Sequence, residues 1–232
     1  FHADVSFEFI AALWAFMACA SHVTFQIVTK RARRMREFFE WTRANGGPDH
    51  WLRCARAMVD EQHSHATERR YSSAADRWAH ASVTLEKRFK AVTARAEITS
   101  GLPNMMALEN VWLLVSTENQ ETYDERVAEL LQCPAVVRGI SAEPLLGPID
   151  LGLGCWVRLP RPVTSDFSGV PGLPPPITAE AGVYRARSNT LGALWVSLPG
   201  GNLGIKPSEF ERLPDIDWAI IGGESGAGCR PC

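Results

Sequence analysis

Four short runs of β-branched, leucine and aromatic residues recur along the chain, and each stops abruptly on polar groups. They lie at 23–28 (VTFQIV), 111–115 (VWLLV), 136–140 (VVRGI) and 218–221 (WAII). Their length and composition predict buried strands. Between the second and third, residues 122–131 carry Val127, Leu130 and Leu131 on one side of a helix, which completes a β-α-β unit. After the first strand, RARRMREFFEW places Met35, Phe38 and Phe39 on one helical face. Strands that alternate with helices predict an α/β fold built on a parallel sheet.

The strand ends carry the chemistry. They read VTKR at 28–31, VSTEN at 115–119, ISAEP at 140–144 and IGGES at 221–225. In parallel α/β folds the carboxyl ends of the strands converge on one edge, where active sites sit. Glu118, Glu143 and Glu224 are therefore the candidate catalytic residues. Thr29, Lys30, Arg31, Asn119, Gly222, Gly223 and Ser225 are the candidate substrate- or cofactor-binding residues. Three carboxylates facing two cations suit proton transfer, recognition of amino and hydroxyl groups, or a hard metal held through oxygens, and no metal ligand set is assigned among them. Two adjacent glycines let a ligand approach the backbone closely.

The rest of the chain bounds the possibilities. With 232 residues, 46% hydrophobic and 22% charged, it is globular material, and a net charge of -2 gives no general attraction to nucleic acid or anionic membranes. The longest apolar stretch, FIAALWAFMACA at 9–20, is short of the roughly 20 residues that span a bilayer. Ile10, Leu13, Trp14 and Met17 in it make one helical face, with Asp4 or Ser6 as its cap. No membrane association is expected, and the cytoplasm is the expected compartment, consistent with six scattered cysteines. Cys229 and Cys232 alone have ligand-like spacing. The chain reads as one incomplete domain over 1–232 with two insertions. The first, about 42–108, is helical, with Tyr71, Trp78, Leu85 and Val92 at a seven-residue interval. The second, about 152–214, is proline- and glycine-rich, holds PGLPPP at 171–176, and is expected to be irregular.

The blocks FHADVSFEFI, TFQIVTKRARRMREF, NVWLLVSTENQETYDERVAELLQCPAVVRGISAEPLLGPIDL and IDWAIIGGESGAGCRP resemble successive blocks of an uncharacterised phage and bacterial family, the phage protein gp-thirty-seven/gp-sixty-eight type. The resemblance covers roughly half of the chain. It implies a (β/α) TIM-barrel-like fold, partial here, related to radical S-adenosylmethionine proteins. S-adenosylmethionine and an iron-sulfur cluster are the implied cofactors, the cluster cysteines being expected upstream of Phe1. Three functions follow. The first is a radical S-adenosylmethionine-like enzyme using the strand-end groups. The second is a barrel enzyme of another chemistry that uses the same carboxylates. The third is a non-catalytic phage factor that binds nucleic acid or protein through the basic run KRARRMR. The partner is accordingly an unknown small molecule or a nucleic acid.

Overall fold

A computed structural model describes residues 1–68, 83–91, 106–151, 154–165, 176–188, 194–199 and 201–222. Its helices in chain order are α1 (Phe7–Cys19), α2 (Ala32–Ala44), α3 (Pro48–Glu68), α4 (83–91) and α5 (Gln120–Leu130). The first strands are β1 (Phe25–Thr29), β2 (Val111–Ser116), β3 (Val137–Ala142), β4 (Gly154–Leu159), β5 (Val163–Thr164) and β6 (Thr178–Ala179). They are followed by β7 (Gly182–Ser188), β8 (Leu194–Leu198), β9 (Gly201–Ile205), β10 (Glu211–Arg212) and β11 (Trp218–Ile221).

The four strands expected from the sequence pair side by side in the order β1-β2-β3-β11, every pair parallel. Register places Val111, Leu113, Val115 and Ile140 on one face, where they are buried in the core formed with the helices. The other face carries Val28, Trp112, Leu114, Gly139 and Trp218. Trp112 and Trp218 meet there with ring centroids 4.9 Å apart, and Trp218 remains 43% exposed. The parallel β/α part of the expected fold holds. The described strands form an open sheet with β1 and β11 at its edges, and closing a β/α barrel takes about eight strands.

Aromatic packing fixes the helices to this sheet. Phe38 of α2 is fully buried and lies 5.0–6.2 Å, centroid to centroid, from the rings of Phe1, Phe7, Trp14, Phe39 and Trp41. On α1 the side chain of Ser6 caps the helix by accepting from the Phe9 amide. Ile10, Trp14 and Met17 are buried as expected, whereas Leu13 is exposed. The buried stripe instead includes Ala11, Ala15 and Ala18, small residues that let neighbouring helices approach closely and turn Leu13 outward. Within 42–108 the described residues form α3 and α4, with Leu85 buried, while Tyr71, Trp78 and Val92 lie outside the described residues.

The span 152–214 is not irregular where it is described. It holds an antiparallel sheet of order β10-β4-β7-β8-β9 with its own core of Cys155, Val157, Leu159, Ala186, Val196, Leu203 and Ile205. Arginines on the face opposite that core, such as Arg158, Arg185 and Arg187, broke the apolar runs and hid the two-residue period that makes these strands. Trp156 faces away from that core and packs 6.3 Å from the ring of Tyr123 on α5, joining the second sheet to the main core.

Candidate functional site

The turn from β2 into α5 is built by short polar side chains. The Asn119 carbonyl side chain accepts from the Thr122 amide at 3.0 Å, and the Thr122 hydroxyl accepts from the amides of Glu118 and Asn119 at 3.0 and 3.2 Å. These contacts satisfy amides that a helix start leaves without partners, so Asn119 acts as the N-cap of α5. They also fix where Glu118 leaves the sheet.

Glu118 is the best-held group of the strand-end set. Its side chain is 12% exposed, with Lys30 Nζ 2.5 Å from Oε1 and Arg126 Nη1 2.9 Å from Oε2. Arg126 also donates to the Ser116 carbonyl at 2.6 Å, which locks it against the end of β2. Burial works to raise the pKa of Glu118. The hydrogen bond from Lys30 and the charges of Arg126 and Lys30 outweigh it, so the carboxyl is held below its usual range. Glu118 is thus a fixed anion that positions Lys30, whose own side chain is 62% exposed. A hollow of about 260 Å³ opens beside this group, lined among others by Lys30, Arg31 and Arg126. Thr29 faces the same edge, its hydroxyl accepting from the Arg31 amide at 3.0 Å.

The segment after β3 closes over the neighbouring strand ends. The Leu145 amide donates to the Gly222 carbonyl at 2.9 Å, and the Leu146 amide to the Glu118 carbonyl at 2.8 Å. A cis peptide joins Glu143 to Pro144. Glu143 is exposed, and its carboxylate lies so near Gly222 that a Cβ built there would stand 2.3 Å from Oε1. Glycine at 222 is what admits the carboxylate. Replacing Gly222 with alanine is therefore expected to displace the Glu143 carboxyl, read as a changed carboxyl ¹³C shift. The unfolding free energy should fall by less than about 1 kcal/mol, because a flexible side chain can swing aside.

The structure thus brings Thr29, Lys30, Arg31, Glu118, Asn119, Glu143 and Gly222 to one edge. Gly223, Glu224, Ser225, Cys229 and Cys232 lie outside the described residues. Arg126 and Thr122 were missed at the sequence level. The signal was there: four residues apart on a helix that starts at a strand end, they share the face that looks back at that end. The basic run is largely engaged by protein groups. Arg33 pairs with Glu37 at 3.1 Å, Arg36 contacts Glu40 and Glu129, and Arg34 donates to the carbonyls of His2 and Val5 while sitting over the Phe7 ring.

The described cysteines do not suit an iron-sulfur cluster. Cys19, Cys54, Cys133 and Cys155 are separate free thiols, and burial pushes Cys19 up to about 11 and raises Cys54 and Cys133, against the thiolate a cluster needs. Among the described residues no three His, Cys, Asp or Glu side chains converge on a metal position. Nor is any described helix long and apolar enough to cross a membrane.

No curated protein and no solved structure matches this chain. A family model described as "Protein of unknown function (DUF5131)" matches residues 1–232, and the chain, with its open parallel sheet and charged carboxyl edge, belongs to that family.

Proposed function

We propose that this chain is an enzyme of the β/α-barrel type whose ligand sits on the carboxyl edge of the parallel sheet, as in the radical S-adenosylmethionine-like proteins it resembles. The observation that carries the reading is the Lys30-Glu118-Arg126 arrangement. Removing a carboxylate from water costs free energy even when it is paired, and a well-packed apolar residue at 118 would serve the core at least as well. A charged cluster at a strand end is better understood as holding Lys30 toward a ligand. Glu143, exposed beside Gly222, is the carboxylate among the described strand-end residues that can meet a positive or hydroxyl group.

S-adenosylmethionine is the proposed ligand of this edge: Lys30 offers N–H donors to its carboxylate and Glu143 an acceptor for its ammonium group. When bound, it supplies a reactive carbon on sulfur. The described thiols do not fit a cluster, so no step is derived through one. Calorimetric titration of the full chain with S-adenosylmethionine tests the reading. Binding is expected, weakened at least tenfold in Glu143→Gln and in Lys30→Gln and unchanged in Arg43→Gln, in the last turn of α2, a tenfold loss being about 1.4 kcal/mol. Absence of binding, or binding indifferent to both rim substitutions, overturns it. Iron and acid-labile sulfide, measured in the protein purified without oxygen, then separate radical chemistry from acid-base chemistry at the same edge.

A further inference from the structure

A second cleft, of about 430 Å³, lies between the first turns of α5 and the antiparallel sheet, and neither Lys30 nor Glu143 is part of its wall. Its wall contains Asp124 and Asp150, Arg185 and Arg187, and the apolar surface of Trp156 and Val183. Arg185 is the unusual group. Its side chain is 15% exposed and its guanidinium sits 5.8 Å from the centroid of the Tyr123 ring. Both neighbouring acids stand off: Asp124 Oδ1 is 3.9 Å from Nη1, and Asp150 Oδ2 is 3.5 Å from Nη2. The second contact is ionic without hydrogen-bond geometry, and Nη2 is buried with no hydrogen-bond partner among the described residues. A buried donor left unmatched costs roughly 1–3 kcal/mol, so an arginine kept in this state is not there for stability; Nη2 is closed to solvent, and an acceptor arriving from outside the chain meets the guanidinium from its Nη1 side, where Asp124 stands 3.9 Å off.

The acceptor's chemistry follows from the charges. A planar guanidinium fork matches a carboxylate. Two aspartates and two arginines leave the cleft with no net charge, so a bare anion gains attraction from one pair and repulsion from the other. A ligand that carries an ammonium group beside its carboxylate gains from both. Asp124 and Asp150 are exposed, and their contacts with Gln120, Arg185 and Arg187 each use a single carboxylate oxygen among the described residues, which leaves the other to accept from an ammonium group. The volume lies within the range of small-molecule sites, and Trp156 and Val183 present an apolar surface to a side chain.

We infer that this cleft binds a small zwitterion of the α-amino-acid class with an apolar side chain, its carboxylate on Arg185 and its ammonium group between Asp124 and Asp150. The inference does not depend on the function proposed for the sheet edge. It is tested on the full chain by ligand-observed NMR and calorimetry with three probes of matched shape: L-leucine, 4-methylpentanoate, which lacks the amine, and isopentylamine, which lacks the carboxylate. L-Leucine is expected to bind, and each analogue to bind at least tenfold more weakly. Arg185→Lys, which keeps the charge and removes the fork, and Asp124→Asn, at an exposed helix position that leaves the fold intact, should each weaken L-leucine at least tenfold with unchanged circular dichroism. Glu143→Gln should leave its affinity unchanged. The inference is overturned if L-leucine fails to bind at about 10 mM, beyond the usual range of weak specific affinity. It is equally overturned if 4-methylpentanoate binds as well as L-leucine, if both cleft variants bind like the wild type, or if Glu143→Gln removes binding.

Discussion

Phe38→Ala is expected to lower the unfolding free energy by about 4 kcal/mol, within the range for truncating a large buried aromatic residue. The side chain is fully buried and surrounded by five other rings, so truncation removes contact on every side and leaves a void that rings on separate elements cannot jointly fill. Denaturant unfolding of wild type and variant measures the effect. Phe38→Leu, which keeps most of the volume, should cost less than half as much. A change below about 1 kcal/mol for the alanine variant would mean that the aromatic cluster does not carry the α1-α2 junction. The consequence reaches the site, because α2 begins two residues after Lys30.

Glu118→Gln is expected to destabilise the protein by about 2 kcal/mol near neutral pH, less than the 3–5 kcal/mol of a fully buried pair because Lys30 is largely exposed. The amide keeps the shape and removes the charge, leaving Arg126 half-buried beside the end of β2 with no anion. The pH dependence has a definite sign. The folded-state pKa of Glu118 is lowered, so its stabilising contribution is present above the unfolded-state value of about 4.3 and is lost as pH falls through the folded value. The difference between wild type and variant should therefore be flat from about pH 6 to 8 and shrink below about pH 4. A difference that grew on acidification would show that Glu118 is not held as an anion.

What was legible in the sequence depended on how strongly each segment's own pattern expressed its environment. Each of the four parallel strands was found to within two residues because each is a short β-branched or aromatic run; β2 and β3 bury their central residues, whereas β1 and β11, at the edges of the described sheet, are half-buried or exposed. Their polar ends were found because the apolar run of each strand stops abruptly in the sequence. β4 and β7 were not found, because Arg158, Arg185 and Arg187 on the face opposite the second core alternate with its buried residues and break the apolar runs. Arg126 escaped because only half of its role is local: its spacing from Thr122 places it on the helix face toward the strand end, but the turn that brings that face onto Glu118 is tertiary. Leu13 was misplaced because four alanines, weak as hydrophobic signals, carry the packed face of α1.

The segment that follows Glu143 has a further use. Its amides at 145 and 146 are tied to carbonyls just past the ends of two different strands, one at Gly222 and one at Glu118, and neither bond is part of the sheet ladder. Hydrogen-deuterium exchange at these two positions therefore reports how often the edge comes apart, without knowledge of any substrate. A ligand that docks on Glu143 and Lys30 should slow both amides together, whereas one confined to the cleft at Arg185 should leave them exchanging at their resting rate. Two protons on one short connection thus distinguish the molecule's two candidate binding places.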